Sequence, residues 1–371
     1  MSEVMTTHPA RPDSPSGSGT WSLTAHGVRT VAVLELRQRV RSTRWIVSLV
    51  VWAVVIGGLT ALIQLTLSPM VSSGEPDDET GAAMFGVIVF LVLSLGMLVS
   101  PALSATSVNG DRTAGILATM QSTLLSPAEL AVGKLLAAWT SALALLATAL
   151  PFVLWSYLVG GTPIGRLLVT LVVLALTLLV VCAVGLGYSA LTARTSSSAV
   201  LTYLTVAFLS LGLPLLFGLT VPLVTTDDSV TRRESVEIGQ SGDVTSSRCV
   251  TTTTTTEQTH TERSWWLLAP SPYVVVSDAA PTPRQSRDDP LSGIRAAVRA
   301  ARLGPDPIED WCGDEITQQL VDRRTRLASE QAAAWPYGLG TDLLVGVGFL
   351  VLTVRRLRTP TRKLPRGTRI A

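Results

Sequence analysis

Long apolar runs alternate with short polar connections along this chain, and the pattern predicts membrane-spanning helices. A helix needs roughly 20 apolar residues to cross a hydrocarbon core of about 30 Å. Lipid offers backbone amides no partner outside the helix, so we expect each sufficiently long run to be helical. Six runs qualify: Trp45–Leu67, Gly81–Val108, Ala131–Leu158, Ile164–Leu191, Ala199–Val224 and Pro336–Val354. Pro101 and Pro214 are expected to kink the second and fifth spans.

The segment before the first span predicts an amphipathic helix over residues 28–44. Val33, Leu36 and Val40 recur at helical spacing, and arginines occupy the other faces. Glu35 and Arg39 are four residues apart and therefore placed to pair within this helix. We expect the helix to lie in the inner membrane interface; a basic anchor that only sets topology is the alternative.

A loop of roughly 110 residues separates the fifth and sixth spans. Within it, Thr251–Thr256 has extended character because threonine is β-branched. The apolar stretch Ser264–Pro281 is interrupted by prolines and is too short to span, so it should dip into or lie on the membrane surface. Its aromatic residues would then sit at headgroup level. These aromatic residues are Trp265, Trp266 and Tyr273. Small surface helices are expected later in the loop, at Ile294–Leu303 and Asp314–Ala334.

Composition agrees with a membrane protein, since 47% of the 371 residues are hydrophobic and only 15% are charged. We therefore predict an all-α polytopic membrane protein with an interfacial helix, six spans and a large outer loop. The predicted divisions are a disordered tail (1–27), the interfacial helix (28–44), spans one to five (45–224), the outer loop (225–335), the sixth span (336–354) and a basic tail (355–371).

Charge asymmetry sets the expected orientation. Arginines precede the first span at positions 29, 37, 39, 41 and 44, and a second basic group follows the sixth span. The first connection carries acids and no base. The positive-inside rule then places both termini in the cytoplasm. Arginine far outnumbers lysine, as is typical of GC-rich bacterial genomes, so we expect a bacterial plasma membrane.

Several kinds of chemistry have no candidate residues. Gly133-Lys134 lacks the upstream glycine and the following Ser or Thr of a phosphate-binding loop, so this chain is not expected to bind ATP. No metal-ligand or catalytic spacing is present, and no cofactor is expected. Cys182 lies in an apolar run and should serve packing. Cys249 and Cys312 lie in the outer loop, where they either form a disulfide or remain free thiols.

Ion-coupled transporters usually carry ionisable side chains near mid-membrane. The first five spans have none near their centres, and Asp342 in the sixth span lies off-centre. We expect Asp342 to lie near the outer interface, and a transporter without its own ion site needs another source of energy.

The connection Asp111–Lys134 carries the most specific signal. An acid–base pair, Asp111 and Arg112, precedes Gly115 and Leu117. A leucine-rich stretch and Pro127 follow, and the segment ends on Gly133-Lys134 as the third span begins. This order resembles the cytoplasmic loop of type-2 ABC (ABC-2) exporter permeases. Here aspartate replaces the family's usual glutamate, and Ile116 stands where threonine is usual. Pro127 lies nearer the Gly-Lys pair than the proline does in many members of the family.

The resemblance implies a membrane subunit of an ATP-driven exporter. A separate ABC ATP-binding subunit would hold ATP and Mg²⁺ and dock on the inner face. A second permease, identical or paralogous, would complete the pathway, with membrane lipid around it and no nucleic acid involved. The residues expected to couple to the ATP-binding subunit are Glu35, Arg39, Asp111, Arg112, Gly115, Leu117, Pro127, Glu129, Gly133 and Lys134.

Two other functions stay open from the residues alone. An ion-coupled secondary transporter would depend on Asp342. A non-transporting scaffold or sensor would bind a partner through the outer loop. The transported substrate is left open by the sequence.

Overall fold

The computed structural model describes residues 19–67, 78–116, 125–160, 164–240, 243–280, 290–305, 308–311, 323, 326–328 and 330–358. The helices are α1 (Ala25–Val40), α2 (Thr43–Leu67), α3 (Asp78–Ser104), α4 (Ser107–Thr113), α5 (Pro127–Gly160), α6 (Ile164–Leu191), α7 (Thr195–Ala207), α8 (Leu213–Thr220), α9 (Pro272–Ala279), α10 (Pro290–Leu303) and α11 (Trp335–Arg356). The strands are β1 (Thr225–Gln240), β2 (Asp243–Thr259) and β3 (Ile308–Trp311).

Six helical stretches in the described part of the chain are long and apolar enough to cross a membrane. This confirms the polytopic helical fold predicted from the apolar runs. The spans are α2, α3 continued by α4, α5, α6, the stretch from α7 to α8, and α11. The fourth span, α6, is the most enclosed, with 61% of its apolar window buried, and it contacts α3, α5, α7, α9 and α11.

Prolines act differently in two of the spans. Pro101 lies inside α3 near its end, and the chain leaves the helix at Ser104 before α4 begins. In the fifth span, Phe208–Gly212 forms a π-helical turn that ends two residues before Pro214. The wider turn relieves the clash between a proline ring and the preceding carbonyl group.

Helix α1 begins at Ala25 and ends at Val40, so it starts and stops earlier than residues 28–44. Its buried residues are Gly27 and Val31, whereas Val40 of the predicted apolar stripe is 58% exposed. The face that packs on the protein is therefore a glycine-containing face directed at α5. We call this end of the bundle, with α1, α4 and Arg358, the α1 end.

The long connection after the fifth span contains a three-stranded sheet that the sequence indicated only at its threonine run. β1 and β2 form an antiparallel hairpin, and β3 pairs in parallel with β1, giving the order β2-β1-β3. Threonines 251–256 lie in β2 and pair with Asp228–Arg233. We call the end of the bundle that carries this sheet the hairpin end.

Helices α9 and α10 pack together at the hairpin end. α9 is buried and contacts the second, fourth and sixth spans.

Tyr273 stacks on Phe90, with ring centroids 5.2 Å apart, and its hydroxyl donates to Ser94 Oγ at 3.1 Å. Ser94 lies about 15 Å along the helix from Met84, where the second span begins. α9 therefore enters the bundle, and Tyr273 is not at the surface position predicted for it, because the apolar α9 finds a protein groove to fill. Trp266 is 60% exposed, as a surface residue would be.

Candidate coupling site

A buried lysine joins three segments at the α1 end. Lys134 Nζ forms ion pairs with Glu35 of α1 and Asp111 of α4, and it also donates to the Ser107 carbonyl at 3.3 Å. The lysine side chain is fully buried, whereas the Glu35 and Asp111 side chains are 12% and 21% exposed. A buried ammonium is tolerated only when paired and hydrogen-bonded, so these carboxylates hold α1 and α4 against the third span.

Gly133 allows this approach. A Cβ atom at this position would lie 2.6 Å from Val31 Cβ and 3.1 Å from the Val28 carbonyl oxygen. Any side chain here would push α1 away from α5. The Gly-Lys pair thus consists of one residue that permits close contact and one that makes the ionic contact beside it.

Glu129 secures the start of α1 to the start of α5. Its carboxylate accepts from the Thr24 amide at 2.8 Å, the Thr24 hydroxyl, and the Ser126 amide at 2.8 Å. Ser126 Oγ in turn accepts from the Glu129 amide at 3.1 Å, which makes Ser126 and Glu129 a capping box for α5. Thr24 caps α1 by accepting from the Gly27 amide. Two helix starts therefore share one carboxylate.

Arg39 extends from α1 into the bundle. Its guanidinium donates to the Leu103 carbonyl at 2.9 Å and to Ser141 Oγ at 3.1 Å. Burial lowers the pKa of Arg39 below its ordinary value, an effect that nearby Glu35 opposes. The pair predicted within α1 is thus replaced by separate contacts: Glu35 binds Lys134, and Arg39 binds the second and third spans. Both side chains lie on the face of α1 that the bundle covers. There they contact groups of the neighbouring helices instead of water.

The end of the second span is bound to the fourth. Ser189 Oγ accepts from the amides of Val108 and Asn109, at 3.0 and 3.1 Å. Arg112 reaches the Thr192 carbonyl at 3.5 Å. Movement of α4 would therefore be transmitted to α6 as well as to α5.

Gly115 follows the end of α4 with φ +72°, in the left-handed region that glycine favours. Its amide donates to the Arg112 carbonyl at 3.3 Å. Glycine is therefore favoured here, where the helix that carries Asp111 and Arg112 ends.

The structure brings most of the predicted coupling residues together around α1, α4 and the start of α5. Pro127 is the first residue of α5, next to the Ser126 cap. Leu117 lies outside the described residues. Cys249 is exposed on β2 and disulfide-bonded, but Cys312 also lies outside the described residues, so their pairing stays a prediction. Cys182 is a buried free cysteine inside α6, in agreement with a packing role.

Asp278, at the hairpin end, was missed from the sequence. Its carboxylate accepts from Arg299 Nε at 2.8 Å and from the amides of Ala334 and Trp335, where the sixth span begins. Arg295 Nε lies 3.9 Å away. The available signal was an acid inside the apolar Ser264–Pro281 stretch, followed by arginines four residues apart in the next helix. One buried carboxylate therefore binds α9, α10 and α11.

Asp342 is only 3% exposed, and its Oδ2 atom is buried without a hydrogen-bond partner. Gly338 and Gly346 flank it one turn away on either side, where α11 approaches Ala269 and Val180 closely. The side chain is therefore buried within the protein, and its position near the outer interface stays a prediction.

The arrangement at the α1 end suits mechanical transmission. Its charged groups bind one another and backbone atoms, and they hold three helices together. Within the described residues, no three His, Cys, Asp or Glu side chains are placed to hold a metal ion. Between the first four spans, Trp52, Gly96, Ser100 and Leu178 line part of a cavity of about 10 Å³, space for one water molecule.

Six apolar spans with charged clusters near their ends define a multi-pass membrane protein. The family model described as "ABC-2 family transporter protein" matches residues 29–270, well over half of the chain. The chain therefore belongs to the ABC-2 transporter family and is an ABC permease. The match covers most of α1, the first five spans and the hairpin, and it ends just before α9. No curated protein and no solved structure matches the chain.

Proposed function

We propose that this permease is the membrane subunit of an ATP-driven exporter and that its α1 end receives motion from a separate ATP-binding subunit. The observation that carries the proposal is Lys134, which is fully buried and ion-paired to both Glu35 and Asp111. This contact joins the surface helix α1 to two spans. ATP and Mg²⁺ would be held by the partner.

The α1 end also presents a surface that a protein partner would cover. Trp21, Leu23, Leu34 and Ile116 are 40–59% exposed there. Apolar side chains mixed with arginines are typical of protein interfaces. Pressure on this surface would move α1, and the contacts at Gly133 and Lys134 would pass the movement to the third span. In proteins with two stable packing arrangements, a small shift of one helix can cause a larger rearrangement of the helices packed against it.

We also propose that two permease subunits form the pathway. The first and fifth spans have the smallest buried shares of the six, 17% and 11%. The cavity between the first four spans has space for only one water molecule and is therefore too small to hold a cargo. We place the protein in a bacterial plasma membrane with both termini in the cytoplasm, which puts the hairpin outside.

Lys134→Met tests the coupling. The methionine keeps the length of the side chain and removes its charge, so Glu35 and Asp111 lose their shared partner. We expect the ATP-binding protein that co-purifies with the tagged chain to show at least about tenfold less transport-linked ATP hydrolysis, the effect of about 1.4 kcal/mol in coupling free energy. Glu35→Gln and Asp111→Asn each leave one carboxylate in place and should give smaller losses.

Arg323→Met is the matched control, because it removes an exposed cation from the connection before the sixth span. It should leave ATP hydrolysis unchanged. Undiminished ATP-driven transport by a stably inserted Lys134→Met protein would refute the coupling role.

Asp342 favours a second candidate function, an ion-coupled transporter, because a carboxyl with a buried unpaired oxygen in a span is a candidate ion or proton site. Asp342→Asn separates the two functions. An ion-coupled transporter loses transport in this variant and keeps it when ATP is depleted, whereas an ATP-driven exporter shows the opposite pattern.

A further inference from the structure

His260 lies at the base of the hairpin, between two carboxylates. It directly follows β2, and its amide donates to the Val224 carbonyl at 2.9 Å, which closes the two strands. The Nε2 atom lies 2.6 Å from Asp228 Oδ2 of β1, and Nδ1 lies 2.7 Å from Glu262 Oε1. The imidazole is 13% exposed.

The two contacts together require a charged ring. A neutral imidazole carries one N–H, so one of its nitrogens would present a lone pair to a carboxylate oxygen. The imidazolium carries two N–H groups and donates to both acids. The hydrogen bond to Glu262 is the main cause that raises the pKa of His260 above its ordinary value. Asp228 acts in the same direction, and burial and Arg263 oppose them.

The cluster joins the base of the hairpin to the short helix that follows it. Asp228 belongs to the hairpin, and Glu262 lies in the short helix Thr261–Arg263, which packs on α10. Glu262 also lies against Gly304, just beyond α10, where φ is +69° and a side chain would collide with the carboxylate. Arg302 of α10 is directed at a ring, with its guanidinium 4.4 Å from the centre of the Trp265 ring.

We propose that protonated His260 fastens the base of the hairpin to the helices beside it, and that deprotonation of His260 releases this fastening. A histidine whose pKa is raised by folding contributes stability that is complete below the unfolded value, about 6.5, and is lost as pH rises through the folded value. The hairpin base is therefore held in acid and loosened at neutral to alkaline pH. This inference concerns the hairpin end and does not depend on the proposed exporter function.

Amide hydrogen exchange on the full-length protein in lipid nanodiscs measures the fastening. After correction for intrinsic exchange rates, protection of amides in Thr225–Val230 and Gln258–Arg263 should fall as pH increases from 5.5 to 8.5. The fall is up to about tenfold per pH unit between the unfolded and folded pKa values of one titrating group. Amides in the middle of α6 report the pH response of the bundle.

His260→Gln should abolish this pH dependence, because glutamine fills similar space and does not titrate in this range. His26→Gln is the matched control: His26 is exposed on α1, and its replacement should leave the hairpin profile unchanged. A wild-type pH profile in the His260→Gln protein would overturn the proposal.

Nuclear magnetic resonance of histidine-labelled protein supplies a readout that does not depend on the fold of the variant. The signal lost in His260→Gln should titrate above the ordinary histidine value in the wild-type protein, and the Asp228→Asn variant should lower that titration. Titration of the His260 signal at or below about 6.5 would equally overturn the proposal.

Discussion

Lys134 shows why a short motif needs both of its residues. The ammonium has no exposure to solvent, so its desolvation must be offset by the two carboxylates and the Ser107 carbonyl. Glu35 reaches it because Gly133, one residue earlier, presents no side chain to Val31 of α1. Substitution of either residue is therefore expected to affect the same contact between α1 and the third span.

Gly133→Ala tests the close approach. The added Cβ would lie 2.6 Å from Val31, and relieving this overlap should cost about 1–3 kcal/mol, the usual range for overpacking. We expect a lower apparent melting temperature in detergent and increased hydrogen exchange in α1. Gly58→Ala is the control, since a Cβ there meets no atom within 4 Å. Equal stabilities for the two variants would show that α1 accommodates the methyl group.

At the scale of elements, α9 depends on one carboxylate for its position. Asp278 binds Arg299 of α10 and caps the start of the sixth span, and the side chain is fully buried. Its apolar neighbours Val275 and Val276 belong to the main core of the bundle. The polar contact therefore fixes the end of a helix whose remaining surface is held by packing.

Asp278→Ala should release α9 and the start of α11 together. The change leaves Arg299 buried without this carboxylate and removes the acceptor for two backbone amides. The loss of stability should be about 3–5 kcal/mol, as for other broken buried pairs. Hydrogen exchange should increase in α9 and at Ala334 and Trp335, while α1 keeps its protection. Unchanged exchange in both places would show that packing alone positions α9.

The sequence predicted the spans well because lipid imposes helices on long apolar runs. The fourth span, Ile164–Leu191, agrees with α6 at both ends. The hairpin was not predicted beyond its threonine run, because its strands are polar on both faces and give no two-residue hydrophobic alternation. Val230 is a buried hydrophobic residue there, and backbone pairing supplies most of the order.

The sequence predicted most residues of the candidate site but few of the contacts between them. The family order of residues pointed to Asp111 and Lys134, which do meet. Their contact with Glu35 depends on the path of α1 across α5, and helix periodicity does not specify that path. Asp278 and Arg299 are 21 residues apart, and only the tertiary fold brings them together.

At the scale of the whole molecule, the first and fifth spans expose large apolar surfaces. Residues such as Val54, Leu65, Leu211 and Leu215 are 66–71% exposed on the isolated chain. The proposed second permease would cover part of them.

Native mass spectrometry in mild detergent should therefore find two permease chains, each of 39.3 kDa in the homodimer case. Leu211→Trp, on the exposed side of the π-helical turn, should shift the balance toward single chains. Leu344→Trp is the control, because Leu344 is 75% exposed on the sixth span, outside the proposed interface. A single chain for the wild-type protein in lipid nanodiscs would contradict the two-subunit proposal.

The order of residues in the Lys134 cluster also bears on how the chain is made. Glu35 and Asp111 both precede Lys134, so both acids that pair with the lysine are synthesised before it. Domains tend to form from the amino terminus during synthesis. Lys134 is thus synthesised after both of its carboxylate partners. Asp278, in contrast, is synthesised before its partner Arg299.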